Sequence, residues 1–419
     1  MSKKTIEDID VSGKRVLIRV DFNVPQDADG RITDDRRIKG ALPTIEYLLS
    51  KNCAVILMSH MGRPKGQVHD KYRLDQVRVR LSELLGRDVF KTADCIGDIV
   101  WEKANALQSG QILLLENLRF HSEEEENDPE FAKKLAGLAD VYVNDAFGTA
   151  HRAHASTEGI TKYLPSVAGF LMEKEIQFLS GILENPGRPF VAIIGGAKVS
   201  DKIKVIDSLL DKVDVLLIGG AMAYTFLKEQ GVAVGASLVE GVIEDKKGQK
   251  VDCPALARQA IEKAKTNNSR LLLPVDHIQA KPVKEMDAGG HEKLVWKEAS
   301  LNGVKDIQEG FAGVDIGPET SRIYAEEIQK AKTVIWNGPM GIFEEKPFSK
   351  GTLEVARACA ATSEQGGITV VGGGDSVAAV ESLGYSQKIT HISTGGGAAL
   401  ELLEGKTLPG LAVLEDKDA

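Results

Sequence analysis

Short apolar runs in the first half of the chain end in side chains suited to gripping a small polyanion. Asp21 and Asn23 follow RVLIRV, and His60 and Arg63 follow CAVILMS. Arg119 and His121 follow ILLLEN, and His151, Arg152 and His154 follow VYVNDAFGTA. Arg37 heads the next helical pattern, within TDDRRIKG. A guanidinium offers a planar fork of donors that matches phosphate or carboxylate. Asp21 and Asn23 suit a hydroxyl instead. One loop arginine is ordinarily a surface charge. Several strand ends delivering arginine, histidine and Asp or Asn to one sheet edge make a pocket for a ligand with negative groups and a hydroxyl.

The second half uses glycine. IIGGAKVSDK, LIGGAMAYTF, WNGPMGIFE, VVGGGDSVAAV and STGGGAALELL each follow an apolar run, and most lead into a helical pattern. Glycine lets the backbone approach a phosphate closely, and a helix N-terminus supplies free N–H groups and a favourable dipole. Several such turns on one edge predict a nucleotide site. Lys198 and Lys202 are four apart, so a helix opening at that segment points both the same way, toward phosphate. Asp375 sits at the tip of GGGDS, where one carboxylate beside phosphates suits Mg²⁺.

Other chemistries fit poorly. No segment matches the P-loop pattern or G-x-G-x-x-G, which weighs against a NAD-dependent dehydrogenase. No G-x-S-x-G elbow supports a serine hydrolase. His151 and His154 in HRAH have no third nitrogen or sulfur ligand at zinc-type spacing. The four cysteines, Cys53, Cys95, Cys253 and Cys359, are scattered and read as buried thiols of a cytoplasmic protein.

These residues need a scaffold that brings strand ends together. The chain has 419 residues, which predicts two domains. Its 42% hydrophobic and 27% charged content is that of a globular protein. A net charge of −9 argues against nucleic-acid or membrane-surface partners, and MSKKTIEDID has no apolar signal core. Strand patterns at 15–20, 53–59, 112–116 and 141–145 alternate with helical patterns at 38–49, 74–85 and 129–138. In the second half, FVAII, DVLLIG, RLLLP, TVIWNG, ITVVGG and THIST continue the alternation, interrupted by a polar stretch from Gln279 to Asp306. Unbroken apolar runs alternating with helices predict doubly wound parallel α/β sheets, with ligands beyond the strands' C-terminal ends. The acidic run Glu123–Glu126 reads as a solvated loop or helix entry. ENPGRP marks a boundary, and FLMEKEIQFLSGIL before it a connecting helix.

With these residues in place, the sequence resembles the phosphoglycerate kinase family. RVDFNVP, SHMGRP, LENLRF, DAFGTAHRAHAS, GGAKVSDK, DIGPET, WNGPMGIFE, GGGDS and STGGGAALELLEGK occur in the family's order over nearly the whole chain. The resemblance implies two Rossmann-like domains. A phosphoglycerate-binding domain, 1–171, is completed by a returning tail, 405–419. A connector helix, 172–186, leads to a nucleotide-binding domain, 187–404. It implies a monomer that moves a phosphoryl group between 1,3-bisphosphoglycerate and MgADP, giving 3-phosphoglycerate and MgATP, after hinge closure. By position, Asp21, Asn23, Arg37, His60, Arg63, Arg119 and Arg152 are implied to hold the phosphoglycerate. Lys198, Lys202, Gly219, Gly220, Gly313, Asn337, Glu344, Gly373, Gly374, Asp375 and Ser376 are implied to hold the nucleotide, Glu344 on its ribose and Asp375 on the metal. Arg37, Lys202, Gly395 and Gly396 are implied to meet the moving phosphoryl group, Arg37 rather than its neighbour Arg36. Phe311 and Ala312 stand where the family often has Trp and Met.

Overall fold

The computed structural model describes residues 3–245, 248–286 and 291–417. Contacts divide the chain into two units, Met1–Ser180 with Lys406–Ala419, and Gly181–Gly405.

The first unit is built on a parallel sheet of β1 (Arg15–Val20), β2 (Ala54–Met58), β3 (Phe90–Lys91), β4 (Ile112–Leu114), β5 (Val141–Asp145) and β6 (Ser166–Ala168). Every residue of β2, β4 and β5 is buried, because helices cover both faces. Helix Arg36–Ser50 turns Ile38, Ala41, Ile45 and Leu48 inward, the spacing of one helical face. The strand order is β3-β4-β2-β1-β5-β6. The chain winds outward from β1 on one side and returns to its other flank only at β5. The switch point therefore lies between β1 and β5, where an open α/β sheet leaves a crevice beyond its strand ends. The strands β3 and β6 are too short to leave a periodic signal in the sequence.

The C-terminal segment is bound into this unit. Lys3 Nζ donates to the carbonyls of Ala412 and Leu414, and Asn144 Nδ2 to that of Gly410. The last two residues of the expected tail lie outside the described ones.

The second unit has β7 (Phe190–Ile194), β8 (Val215–Ile218), β9 (Val242–Glu244), β10 (Lys250–Asp252), β11 (Arg270–Leu272), β12 (His277–Met286), β13 (Glu292–Asn302), β14 (Ala312–Ile316), β15 (Thr333–Asn337), β16 (Ile368–Gly372) and β17 (His391–Ile392). Its parallel sheet runs β11-β8-β7-β15-β16-β17, so the winding reverses between β7 and β15. The polar stretch that interrupts the sequence pattern lies mostly in β12 and β13, two long antiparallel strands that with β14 form a separate sheet. Residues 287–290 of that stretch lie outside the described residues. It is polar because β13 is exposed over most of its length, with cross-strand ion pairs such as Lys284–Glu292 at 2.8 Å.

The segment expected as a connecting helix is helical without a gap from Phe170 to Glu184, α-helical at Phe170–Glu175 and Gly181–Glu184 with a π-helical segment, Ile176–Ser180, between them. One sequence expectation is corrected. The acidic run is not wholly solvated: Ser122–Glu125 forms a helical turn in which Glu124 is fully buried.

Glycine at the second switch point answers a spatial demand. Gly195 N donates to Asn337 O at 2.9 Å, which draws the ends of β7 and β15 together. A Cβ on Gly338 would lie 2.1 Å from the carbonyl oxygen of Gly195, and Gly338 has φ +101°. At Gly86 φ is +62° but the space around a Cβ is open. Gly338→Ala is therefore expected to cost at least about 2 kcal/mol, through strain and a backbone clash, and Gly86→Ala about 1 kcal/mol, through strain alone. Urea unfolding midpoints of the two variants check the order.

Candidate functional site

The first unit gathers positive charge at the β1/β5 switch point. His60, just past β2, is buried at the centre of the group. Its imidazole is held well below the usual histidine range, first by burial and then by the guanidiniums of Arg19, Arg119, Arg37 and Arg152. Arg19 Nη2 lies 3.2 Å from His60 Nδ1. A guanidinium can only donate, so Nδ1 accepts and the ring proton sits on Nε2. His60 is thus a neutral donor inside a cationic shell.

Arg37, on the first turn of helix Arg36–Ser50, reaches back to this shell. Its Nη1 pairs with Asp21 Oδ2 at 2.9 Å and donates to Asn23 O at 3.1 Å. Arg36 binds the half-buried Asp34 instead, so the two neighbouring arginines face different partners. Asn23 Oδ1 accepts from Gly62 N at 2.9 Å, which ties the turn after β2 to the end of β1. Gly62 has φ +61°, and a Cβ there would meet the Tyr72 ring at 2.3 Å. Only glycine lets this loop turn beneath Arg63, which is exposed and makes no hydrogen bond or ion pair to the described residues.

Arg119 is 3% exposed, yet its Nη2 has no hydrogen-bond partner. Nη1 donates to Gly62 O at 2.9 Å, and Nε lies 3.1 Å from Glu125 Oε1 without hydrogen-bond alignment. Burial, aided by Arg152 and Arg19 and opposed by Glu125, pushes its guanidinium down to about 10. A buried arginine with an unused donor is unfavourable until an anion arrives. Arg152, after β5, spends its Nε on His151 at 3.2 Å. Of the histidines near these strand ends, His121 turns to Asp94 at 2.7 Å and His154 to Glu124 at 3.7 Å.

Sequence reasoning missed Arg19 and Glu124. Arg19 is fully buried and its Nε donates to Ser156 Oγ at 2.8 Å. Ser156 in turn donates from Oγ to Glu124 Oε1 at 2.6 Å and from its backbone N to Oε2 at 3.0 Å. Burial alone would raise the Glu124 carboxyl, but His154, Arg19 and Ser156 outweigh it and hold it below the usual range. This carboxylate compensates the buried cation that orients His60. A second arginine within RVLIRV, flanked on both sides by apolar residues, was the available signal, since a doubly covered strand buries a charge only with a partner. The run of glutamates offered none to single out Glu124.

The second unit holds a cavity of about 500 Å³. Glycine backbone from Gly196, Gly220 and Gly313 forms part of its wall, with apolar surface from Leu238, Trp296 and Phe343. Asp315, Glu344 and Asp375 supply its acids. Gly313 lies against Tyr224, whose Oη would be 1.7 Å from a Cβ there, so any side chain would disturb the wall. Ala312 lines the cavity, whereas Phe311 lies under the Lys281 ammonium, 5.1 Å from its ring centre. Asp315, raised to about 7 by burial, accepts from Gly351 N at 2.8 Å and so anchors helix Lys350–Glu364 beside the cavity.

Besides Gly220, Gly313, Glu344 and Asp375, the expected nucleotide residues do not line this cavity. Lys202 is not on a helix face with Lys198: the helix begins only at Ile203, Lys202 caps it, and Lys198 is exposed. Lys202 Nζ donates to the Asn337 side-chain oxygen and, at 3.3 Å, to its carbonyl. Burial brings its ammonium down to about 8, opposed by Asp375 and Asp201. Asn337 Nδ2 is buried without an acceptor, a donor left open next to Gly373. Gly374 and Asp375 start helix Gly374–Ser382, with Asp375 exposed at its first turn. Ser376 is fully buried and accepts from Gly338 N, so its hydroxyl braces the end of β15. Gly219 is packed on Met340. Gly395 N donates to Ser393 Oγ at 3.1 Å, and Gly396, at φ +49°, caps the short helix Gly397–Leu403.

Each unit can thus hold an anion by different means, guanidinium forks in one and backbone amides with a lysine in the other. Comparison with known proteins finds one family across both. The phosphoglycerate kinase family model matches residues 6–406. The phosphoglycerate kinase of Acaryochloris marina is 57% identical over 420 residues, covering 99% of this chain and 100% of that protein. That of Moorella thermoacetica is 57% identical over 417 residues, covering 100% of each. The solved structure of phosphoglycerate kinase from Coxiella burnetii superposes with a TM-score of 0.84 at 39% identity, covering 98% of both chains.

The tautomer and depressed basicity of His60 are directly measurable. Nitrogen-15 imidazole spectra are expected to show a neutral Nε2–H ring for His60, unchanged as pH falls from about 8 to about 5.5. Because its folded pKa lies below its unfolded one, protonation favours the unfolded chain. The contribution of His60 to stability is complete above about 6.5 and is lost as pH falls below it. Titration of this ring near 6.5 would contradict the arginine shell.

Proposed function

Since the chain belongs to the phosphoglycerate kinase family, we propose that it catalyses reversible transfer of a phosphoryl group from 1,3-bisphosphoglycerate to MgADP, giving 3-phosphoglycerate and MgATP. The observation that carries the assignment of substrates to sites is the gathering of Arg37, Arg119 and Arg152 around the buried neutral His60. A phosphorylated sugar acid supplies anionic oxygens for donors left open on these forks, such as Arg119 Nη2. Asp21 and Asn23 receive its hydroxyl, and His60 donates from Nε2. The cavity edged by Gly220, Gly313 and Glu344 takes the nucleotide, with Glu344 on the ribose.

The donor set fits magnesium. Asp375 is an exposed carboxylate on the cavity wall at a helix start, and Mg²⁺ prefers one or two carboxylates plus phosphate oxygens. When bound with the nucleotide, Mg²⁺ would neutralise phosphate charge. Lys202 does the same from beside Asn337, and binding of phosphate opposes the burial that lowers its ammonium.

No general base is required. In the ATP-consuming direction the nucleophile is a carboxylate, already ionised at neutral pH. The barrier lies in bringing anions together. Two unit charges 4 Å apart repel by about 1 kcal/mol in water and about 4 kcal/mol at an effective dielectric of 20. Excluding water raises the penalty, so cations and N–H groups must replace it. Arg37, Lys202, Gly395 and Gly396 are assigned that task at the transferred group. In-line transfer requires both bound substrates to meet, so the proposal includes a hinge closure. The protein acts as a cytoplasmic glycolytic monomer in this reading. Among the described residues no helix is long and apolar enough to cross a membrane.

A coupled assay for ATP formation from 1,3-bisphosphoglycerate and MgADP, with the purified full chain, tests the activity. Arg37→Ala is expected to keep its unfolding midpoint and lose at least about a hundredfold in turnover, the lower side of what an arginine at a transferred phosphoryl group contributes. Absence of ATP formation would refute the activity, and an unchanged turnover number the role of Arg37.

A further inference from the structure

Asp94, Cys95 and His121 bring a carboxylate oxygen, a sulfur and a ring nitrogen within 4.8 Å of one another. None of them belongs to the two anion sites. The topology explains the meeting. The strands β3 and β4 pair in parallel, so the loops leaving their C-terminal ends run side by side. The first loop carries Asp94 and Cys95. The second makes the 3₁₀ turn Leu118–Phe120, and His121 follows it directly.

The loop bearing Asp94 is fixed by its backbone: Thr92 Oγ1 donates to Asp94 O at 2.6 Å and Thr92 N to Leu114 O at 3.1 Å. His121 Nε2 donates to Asp94 Oδ1 at 2.7 Å, and Cys95 N reaches the same oxygen at 2.7 Å. The Phe131 ring, with centroids 5.4 Å apart, holds the imidazole from one side. Exposure is graded: the Asp94 side chain is 51% exposed, that of His121 24%, and Cys95 is fully buried. The soft ligand is buried, and the carboxylate is the most exposed of the three. A surface Asp–His pair needs no thiol beneath it.

We propose that Asp94, Cys95 and His121 form a binding site for a thiophilic divalent transition ion, of which Zn²⁺ is the natural example. Zn²⁺ takes sulfur at about 2.3 Å, imidazole at about 2.0 Å and carboxylate at about 2.0–2.2 Å, so its ligand atoms stand roughly 3.5 Å apart. The observed trio needs only to open its oxygen–nitrogen edge and draw in the sulfur, and water completes the tetrahedron. Coordination releases the thiol proton to solvent, and a neutral His121 ring moves its proton from Nε2 to Nδ1 by exchange with solvent, so that the freed sulfur and Nε2 lone pairs bind the metal. Nitrogen and sulfur donors separate this site in kind from Asp375, whose lone carboxylate suits a hard ion. Occupancy would tie the loop after β3 to the turn that presents Arg119, two residues before His121.

The test uses the full chain, reduced and free of nucleotide, titrated with Co²⁺. The site predicts a near-ultraviolet sulfur-to-cobalt charge-transfer band and visible bands of a tetrahedral ion, saturating at one equivalent and abolished by Zn²⁺. Cys95→Ser should remove the charge-transfer band. His121→Ala alters a partly exposed side chain and keeps the thiol, so it remains informative if the cysteine variant does not fold. It should weaken Co²⁺ binding at least about tenfold, since even groups that only orient a ligand are worth that much. No charge-transfer band, a band that persists in Cys95→Ser, or unchanged affinity in His121→Ala would each overturn the proposal.

Discussion

Like charges held close together are the constraint on which the first unit is organised. Arg19, Arg37, Arg119 and Arg152 surround one buried imidazole, and each lowers its basicity. Such a shell would fly apart or stay solvated unless the fold restrained it. Asp21 holds Arg37, the Glu124–Ser156 pair holds Arg19, and Gly62 O holds one arm of Arg119. The compensation is incomplete by construction. Burial, with Arg152 and Arg19, pushes the Arg119 guanidinium down to about 10 against the pull of Glu125, so keeping it charged costs stability. In the proposed reaction an anion bound beside Arg119 would offset that cost.

The second unit meets the same problem with backbone instead of side chains. Both parallel sheets reverse their winding once, between β1 and β5 and between β7 and β15, and both put their polar groups at that reversal. In the second, β7 and β15 end so close that Gly195 and Gly338 admit no side chain. Bare peptide groups are then the donors available, supplemented by Lys202 and the open amide of Asn337. The difference suits the ligands of the proposed reaction: forks from several loops fit a small acid, and glycine backbone fits a polyphosphate.

What the sequence disclosed follows the physics of burial. Strands covered on both faces are unbroken apolar runs, so β1, β5 and β7 are read to the residue, and the side chains just beyond them are the ones that face the crevices. The strands β3 and β6 are held by neighbours and not by any pattern of their own. The long pair β12 and β13 was hidden because its exposure replaces apolar residues with lysine and glutamate, which look like a loop. Lys198 and Lys202 share a face only if a helix starts early, and it starts at Ile203. Arg19 and Glu124 are separated by a hundred residues of chain, and their partnership is a fact of tertiary packing. The Asp94–Cys95–His121 meeting is of the same kind, since sequence spacing directed attention to His151 and His154.

The central claim is that buried arginines at the β1/β5 switch point are a strain stored against anion binding. Equilibrium urea unfolding of Arg119→Met, with and without 3-phosphoglycerate, tests it most directly. The account predicts a variant more stable than the parent by about 1–3 kcal/mol without ligand, as a buried charge gives way to an apolar chain of similar length, and no stabilisation by 3-phosphoglycerate. A variant less stable than the parent that 3-phosphoglycerate still stabilises to the same extent would contradict it.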